Sequence, residues 1–136
     1  MKKSILAVLT IIVIFAIASC SKEEIATNPY EGTKWSKSYH SSFSDEDYMY
    51  VLEFTETTFS YYEADINGGY KSGMTQGSYT YKGNEIYIDN VKDKTSFILD
   101  EYIIGATVTG NSLSLHYYWV SSDGERFDHD QLMGKR

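Results

Sequence analysis

The sequence predicts an all-β protein, an up-and-down antiparallel meander of about eight strands that closes into a β-barrel. Three observations carry this. Apolar and polar residues alternate with period two over most of the chain after residue 33. Turn-forming clusters interrupt the alternation at intervals of about 8–12 residues, the spacing of strands in sandwiches and barrels. Aromatic residues make up 15% of the chain, including 13 tyrosines, against a single proline. Aromatics suit a pleated, half-buried surface, and proline does not suit a ladder. Tight sequential turns favour a meander, and closure removes exposed strand edges.

The elements follow in order. Trp35, Lys37 and Tyr39 alternate with Ser36 and Ser38. Tyr48, Tyr50, Leu52 and Phe54 then share one face, and Met49, Val51 and Glu53 share the other. Thr55-Glu56-Thr57 reads as a turn, beyond which Phe59 and Tyr61 continue the apolar face. Asp65-Ile66-Asn67-Gly68-Gly69 has the composition of a loop. Gly77-Ser78-Tyr79-Thr80-Tyr81 is the next strand, Gly83-Asn84 a two-residue hairpin turn, and Glu85-Ile86-Tyr87-Ile88 the return. Asp89 to Lys94 is polar and turn-like. An apolar stretch from Phe97 to Val108, broken by Asp100-Glu101, leads to a second Gly-Asn turn at 110–111. Leu113, Leu115, Tyr117 and Trp119 share a face beyond it. Ser121-Ser122-Asp123-Gly124 is the last turn, and Glu125 to Leu132 the last and weakest strand. No segment after residue 20 carries a helical period of useful length.

The N-terminus reads as an address rather than part of the fold. Lys2 and Lys3 form a positive region, and Ile5 to Ile17 is an apolar run interrupted only by Thr10. A membrane-spanning helix needs about 20 apolar residues, so this run fits the hydrophobic region of a secretory signal. It ends Ile17-Ala18-Ser19-Cys20, which resembles the lipobox of bacterial lipoproteins: an aliphatic residue, two small residues, then cysteine. The resemblance implies diacylglyceryl transfer to the Cys20 thiol, cleavage between Ser19 and Cys20, and acylation of the new α-amine. Two or more acyl chains hold a protein stably on its membrane. The expected organisation is a signal peptide over 1–19, a lipidated Cys20 with a flexible tether over 20–32, and a barrel domain over 33–136. Ser21 follows the cysteine where an aspartate would signal inner-membrane retention. Cys20-Ser21-Lys22-Glu23-Glu24 resembles the surface-export signal of Bacteroidota lipoproteins. The expected location is therefore the bacterial cell envelope, lipid-anchored to the outer membrane with the domain at the surface.

Charge and cysteine content exclude several classes. The chain has 12 basic and 19 acidic side chains, net −7. Losing residues 1–19 removes Lys2 and Lys3 and leaves 10 against 19, net −9. Such a surface repels nucleic acid and anionic headgroups. A single cysteine excludes an intramolecular disulfide framework and the cysteine-rich zinc modules.

The barrel region resembles the small lipocalin-like lipoproteins of Bacteroidota. The pieces that carry the resemblance are Gly32-Thr33-Lys34-Trp35 where the barrel starts, Phe54-Thr55-Glu56-Thr57-Thr58-Phe59 at the first hairpin, and the Gly77-x-Tyr79-x-Tyr81-x-Gly83-Asn84 pattern. Gly32 and Trp35 also resemble the Gly-x-Trp motif of true lipocalins, with one extra residue between them. The resemblance implies a lipocalin-like barrel, and function must be argued from the site.

Reactive constellations are sparse. There is no Gly-x-Ser-x-Gly elbow, HExxH or phosphate loop. His116 falls on the polar side of its strand. Asp128 and Asp130 face one way and His129 the other, so they do not converge on a metal. Counting from Asp65 as in a calcium loop, the twelfth position is Gln76 rather than glutamate. Neither spacing nor context selects Glu53 or Glu63 as half of an acid–base pair. No cofactor is called for, and the expectation is a non-enzymatic protein. The inward aromatic and aliphatic set remains: Trp35, Tyr50, Leu52, Phe59, Tyr61, Tyr79, Tyr81, Leu115, Tyr117 and Trp119. An eight-stranded barrel has an interior that side chains can just fill or that holds one small ligand. This set therefore either packs a core or walls a site for a small, partly apolar ligand. The alternative is a surface module that binds glycan or a partner protein through Val51, Tyr62, Tyr87 and Tyr118.

Overall fold

The computed structural model describes residues 26–93 and 100–136. The expected signal peptide, the lipobox-like segment with Ser19 and Cys20, and the acidic residues that follow lie outside the described residues. Nine strands form one antiparallel sheet: β1 (Lys34–Ser41), β2 (Glu46–Phe54), β3 (Thr58–Asp65), β4 (Tyr70–Ser78), β5 (Thr80–Lys82), β6 (Glu85–Asp93), β7 (Asp100–Thr109), β8 (Ser112–Val120) and β9 (Arg126–Lys135). No helix occurs among the described residues. The order across the sheet is β4-β3-β2-β1-β9-β8-β7-β6-β5, a meander in which β9 returns beside β1. The sheet curls into a nearly closed barrel. β4 comes round against β6, where the Thr75 hydroxyl donates to the Lys92 carbonyl at 3.4 Å.

Both Gly-Asn turns are two-residue hairpins, with Lys82 paired to Glu85 and Thr109 to Ser112. Gly83 and Gly110 supply the positive φ, +60° and +59°, that a two-residue turn of this hand requires. The last strand is longer than its pattern suggests and holds the sheet together. It pairs with β8 over its length and with β1 at Gly134 and Lys135. Two polar stretches are strand rather than turn. β4 starts at Tyr70, within a segment with little apolar alternation. β6 runs on through Asp89–Asp93, past a bulge at Asn90 (φ +43°). Polar residues stay in a ladder here because neighbouring strands supply the backbone partners.

The two ends of the barrel differ. One is shut. Trp35, Leu52, Phe59, Leu113 and Leu115 lie at 1% exposure or less, packed with Phe54, Ile86, Ala106 and Met133. Residues 28–32, expected within the tether, cap this end. Tyr30 is buried in the same cluster, and its hydroxyl donates to the Gly83 carbonyl at 2.5 Å. Asn28 Nδ2 donates to the Glu56 carbonyl at 2.7 Å, and the Gly32 amide to the Phe54 carbonyl at 2.9 Å. The domain thus begins near Asn28. At the other end β1 and β9 are not paired beyond Ser36, so the wall opens toward the turns at 42–45 and 121–125.

Candidate functional site

A cavity of about 80 Å³ lies at the open end, lined by Tyr50, Tyr61, Asp93, Glu101, Ile103, Leu115, Tyr117 and Gln131. Six strands contribute, because inward positions on β2, β3, β6, β7, β8 and β9 meet at one level of the barrel. Ile103 and Leu115 are the apolar floor above the packed end. The walls are polar. No lysine, arginine or histidine is among the described lining residues.

Aromatic ladders hold the walls in place. Tyr48, Tyr39, Tyr50 and Tyr61 stack in sequence, with ring centroids 5.4, 4.8 and 5.6 Å apart. Tyr39 is anchored by donating to Glu63 at 2.9 Å. On the β8–β9 side Tyr117 stacks on His129 at 5.6 Å, and Trp119 on Phe127 at 4.1 Å. The Trp119 indole N–H donates to His129 Nε2 at 2.6 Å. These stacking contacts and the Tyr39–Glu63 bond hold the rings that wall the cavity.

The electrostatics are those of a partly desolvated acidic site. Burial pushes the phenols of Tyr50, Tyr61 and Tyr117 up, helped by the nearby carboxylates. All three are neutral hydroxyls at physiological pH. The Glu101 carboxyl is raised to about 7 by burial, then by the charge of Asp93 and a hydrogen bond with it. These residues face each other across the β6–β7 ladder, so the Glu101 carboxyl keeps its proton to higher pH beside the charge of Asp93. The Gln131 amide nitrogen is buried with no close hydrogen-bond partner, and its side chain lies beside the Tyr61 hydroxyl. A buried donor left open costs about 1–3 kcal/mol and marks a place for an acceptor.

The raised carboxyl makes stability depend on pH. A folded pKa above the ordinary 4.5 means that the native state binds the proton more tightly than the unfolded chain. This contribution is full below about 4.5 and is lost as pH rises through about 7. Glu101→Gln is therefore expected to stabilise the barrel at pH 8 by about 1–2 kcal/mol, a figure discounted for the water that reaches the open end. The gain should vanish toward pH 4. Urea unfolding at the two pH values checks this, and an equal effect at both would contradict the raised Glu101 carboxyl.

Of the residues expected to line an interior site, Tyr50, Tyr61, Leu115 and Tyr117 meet at the cavity. Trp35, Leu52 and Phe59 belong to the packed end. Tyr79 is buried beneath the cap, bonded to Asn28 and the Thr55 carbonyl. Tyr81 corrects the expectation: it is 38% exposed, with its ring edge-on to Tyr30, because β5 passes outside the packed core. Trp119 stands at the rim rather than in the lining. Asp93, Glu101, Ile103 and Gln131 were not legible as site residues. The parity of Asp93 is reset by the β6 bulge, and Gln131 lies on the weakest strand.

The outward aromatics do not form one patch. Val51 and Tyr62 are buried with Met49 and Ala64 on the outer face of β2 and β3. Tyr87 is exposed on β6, and Tyr118 lies on β8 beneath the Arg126 guanidinium, 3.9 Å from its ring centroid. His116 is held between Asp130 (2.6 Å) and Thr107 (2.8 Å). Among the described residues no group of three or more His, Cys, Asp or Glu side chains is placed to hold a metal ion.

The fold and site define a small antiparallel β-barrel with one packed end and one acidic, tyrosine-lined end. No family model matches the chain, and neither a curated protein nor a solved structure is found to match it.

Proposed function

We propose that this is a membrane-anchored lipoprotein whose non-enzymatic barrel binds a small ligand at its open end. The observation that carries the reading is the cavity, built on strands and bearing an unfilled hydrogen-bond donor. A liquid water occupies about 30 Å³ and drug-sized ligands need about 300–1,000 Å³. The cavity thus takes one end of a ligand, with the remainder emerging through the open wall between β1 and β9. Tyrosine rings with Ile103 and Leu115 give the partly apolar lining, and the carboxyls and Gln131 give orientation. The lipobox reading of Ile17-Ala18-Ser19-Cys20 supplies the anchor, and the acidic residues after Cys20 support a domain held at the outer-membrane surface.

The ligand is tested by native mass spectrometry of protein purified gently from its membrane. An adduct is expected on the wild type and absent from Gln131→Trp, which fills the cavity from β9 without touching the packed end. An adduct of equal occupancy on both proteins would place the ligand elsewhere. For the anchor, Cys20→Ser is expected to remain unprocessed and to take up no labelled acyl chain. Normal processing and labelling of that variant would rule the anchor out.

A further inference from the structure

The two ends of the barrel differ in where the chain enters and in charge. Among the described residues, Asn28 is where the chain from the N-terminus is first tied to the barrel. Its Nδ2 donates to the Glu56 carbonyl at 2.7 Å and to the Tyr79 hydroxyl at 2.6 Å, and its Oδ1 accepts from the Tyr30 amide at 2.9 Å. These partners all belong to the packed end, whereas the cavity opens at the other. Segments 42–47, 65–71, 92–101 and 121–130, which join the strands at the open end, carry 11 acidic against 4 basic side chains, net −7. Segments 31–34, 53–58, 82–85, 109–112 and 133–136, at the packed end, carry 4 against 4, net 0. Resting on the anchor reading above, we propose that the packed end is the surface the barrel presents to an anionic bilayer, and that the mouth of the cavity faces the aqueous side. A ligand for the open end then arrives through water and not out of the bilayer.

Tether length decides against the reverse placement. Seven residues, 21–27, separate Cys20 from Asn28. Fully extended they span about 25 Å, and as a flexible coil about 15 Å. β2 and β8 run for nine residues each between the two ends. That is about 30 Å along the strand, and about 20–25 Å along the axis at the usual tilt of a barrel. Setting the mouth on the bilayer would need the tether stretched taut down the outer wall. Resting on the packed end needs no stretch. Charge acts in the same direction. An anionic leaflet repels the acidic open end, and its field falls off within a Debye length of about 8 Å, so it acts on the end nearer the membrane. The packed end, with balanced charges, meets no such penalty.

The test is energy transfer from one fluorophore on the protein to headgroup-labelled lipid. The lipidated protein is purified from its membrane and reconstituted into vesicles of phosphatidylethanolamine and phosphatidylglycerol. Cys20 is the single cysteine of the chain, and in the anchored protein its thiol is taken by lipid, so an introduced cysteine is labelled alone. Glu56→Cys places the dye on the β2–β3 turn of the packed end, and Ser122→Cys places it on the β8–β9 turn of the open end. Both positions are exposed. Transfer from position 56 is expected to exceed that from position 122 by about threefold or more, for a height difference of about 20–25 Å. Equal transfer from vesicle-bound protein (a barrel on its side, or turning freely) would overturn the inference and leave the anchor standing. Higher transfer from position 122 would do the same. Protein that stays in solution, with transfer from neither position, would overturn the anchor reading and this inference with it.

Discussion

Gly105→Ala is expected to destabilise the barrel by about 3 kcal/mol or more, although it adds one methyl group. Gly105 is buried on β7, opposite Tyr87 of β6. Two irregularities meet there. The β7–β8 register shifts between Ile103 and Gly105, and the β6–β7 register shifts between Tyr87 and Val91. These bulges draw the backbones of β6 and β7 together, and a Cβ on Gly105 would overlap the Ile86 carbonyl oxygen. A backbone oxygen cannot swing aside as a side-chain tip can. The ladder must separate just where Ile86 and Ala106 enter the core. Gly134→Ala is the control, since a Cβ there meets nothing within 4 Å. Thermal unfolding should show a fall of well over 10 °C for Gly105→Ala, given about 4–8 °C per kcal/mol for a domain of this size. Gly134→Ala should stay within a few degrees. Equal midpoints for the two variants would mean that the β6–β7 approach is not as described.

Trp35→Ala is the second large effect, an expected loss of about 3–5 kcal/mol. Trp35 is 1% exposed and stands opposite Leu52 in the β1–β2 ladder and opposite Lys135 in the β1–β9 ladder. Its indole N–H donates to the Thr33 hydroxyl at 3.2 Å. Removing it opens a void at the point where the last strand meets the first, so packing and closure are lost together. Trp35→Phe keeps most of the volume and forgoes the hydrogen bond. It should cost less than half as much in urea unfolding. Similar losses for alanine and phenylalanine would assign the effect to the hydrogen bond rather than to the core.

Much of the fold was legible because period two is a direct projection of the pleat. Tyr48, Tyr50, Leu52 and Phe54 point inward together, as do Leu113, Leu115, Tyr117 and Trp119, and both Gly-Asn turns fall in place. What escaped was what does not alternate. Tyr70–Gln76 and Asp89–Asp93 are polar strands, kept in the sheet by neighbours rather than by their own pattern. The bulge at Asn90 resets parity and turns Asp93 inward, opposite Glu101. A carboxyl pair made by a bulge has no signature in residue spacing. The same holds for Gln131, an inward polar residue on β9 between the inward His129 and Met133. The sequence could nominate Tyr50, Tyr61, Leu115 and Tyr117, but separating cavity from core required knowing that Tyr30 caps one end and that β1 and β9 part at the other.

The most direct test of an acidic, tyrosine-walled cavity at the open end is a carbon-13 NMR pH titration of the Glu101 carboxyl, assigned against Glu101→Gln. A midpoint near 7 is expected, because burial and the neighbouring charge of Asp93 hold the Glu101 proton on. A midpoint near 4.5, the ordinary glutamate value, would show a solvated Glu101 and no cavity to occupy.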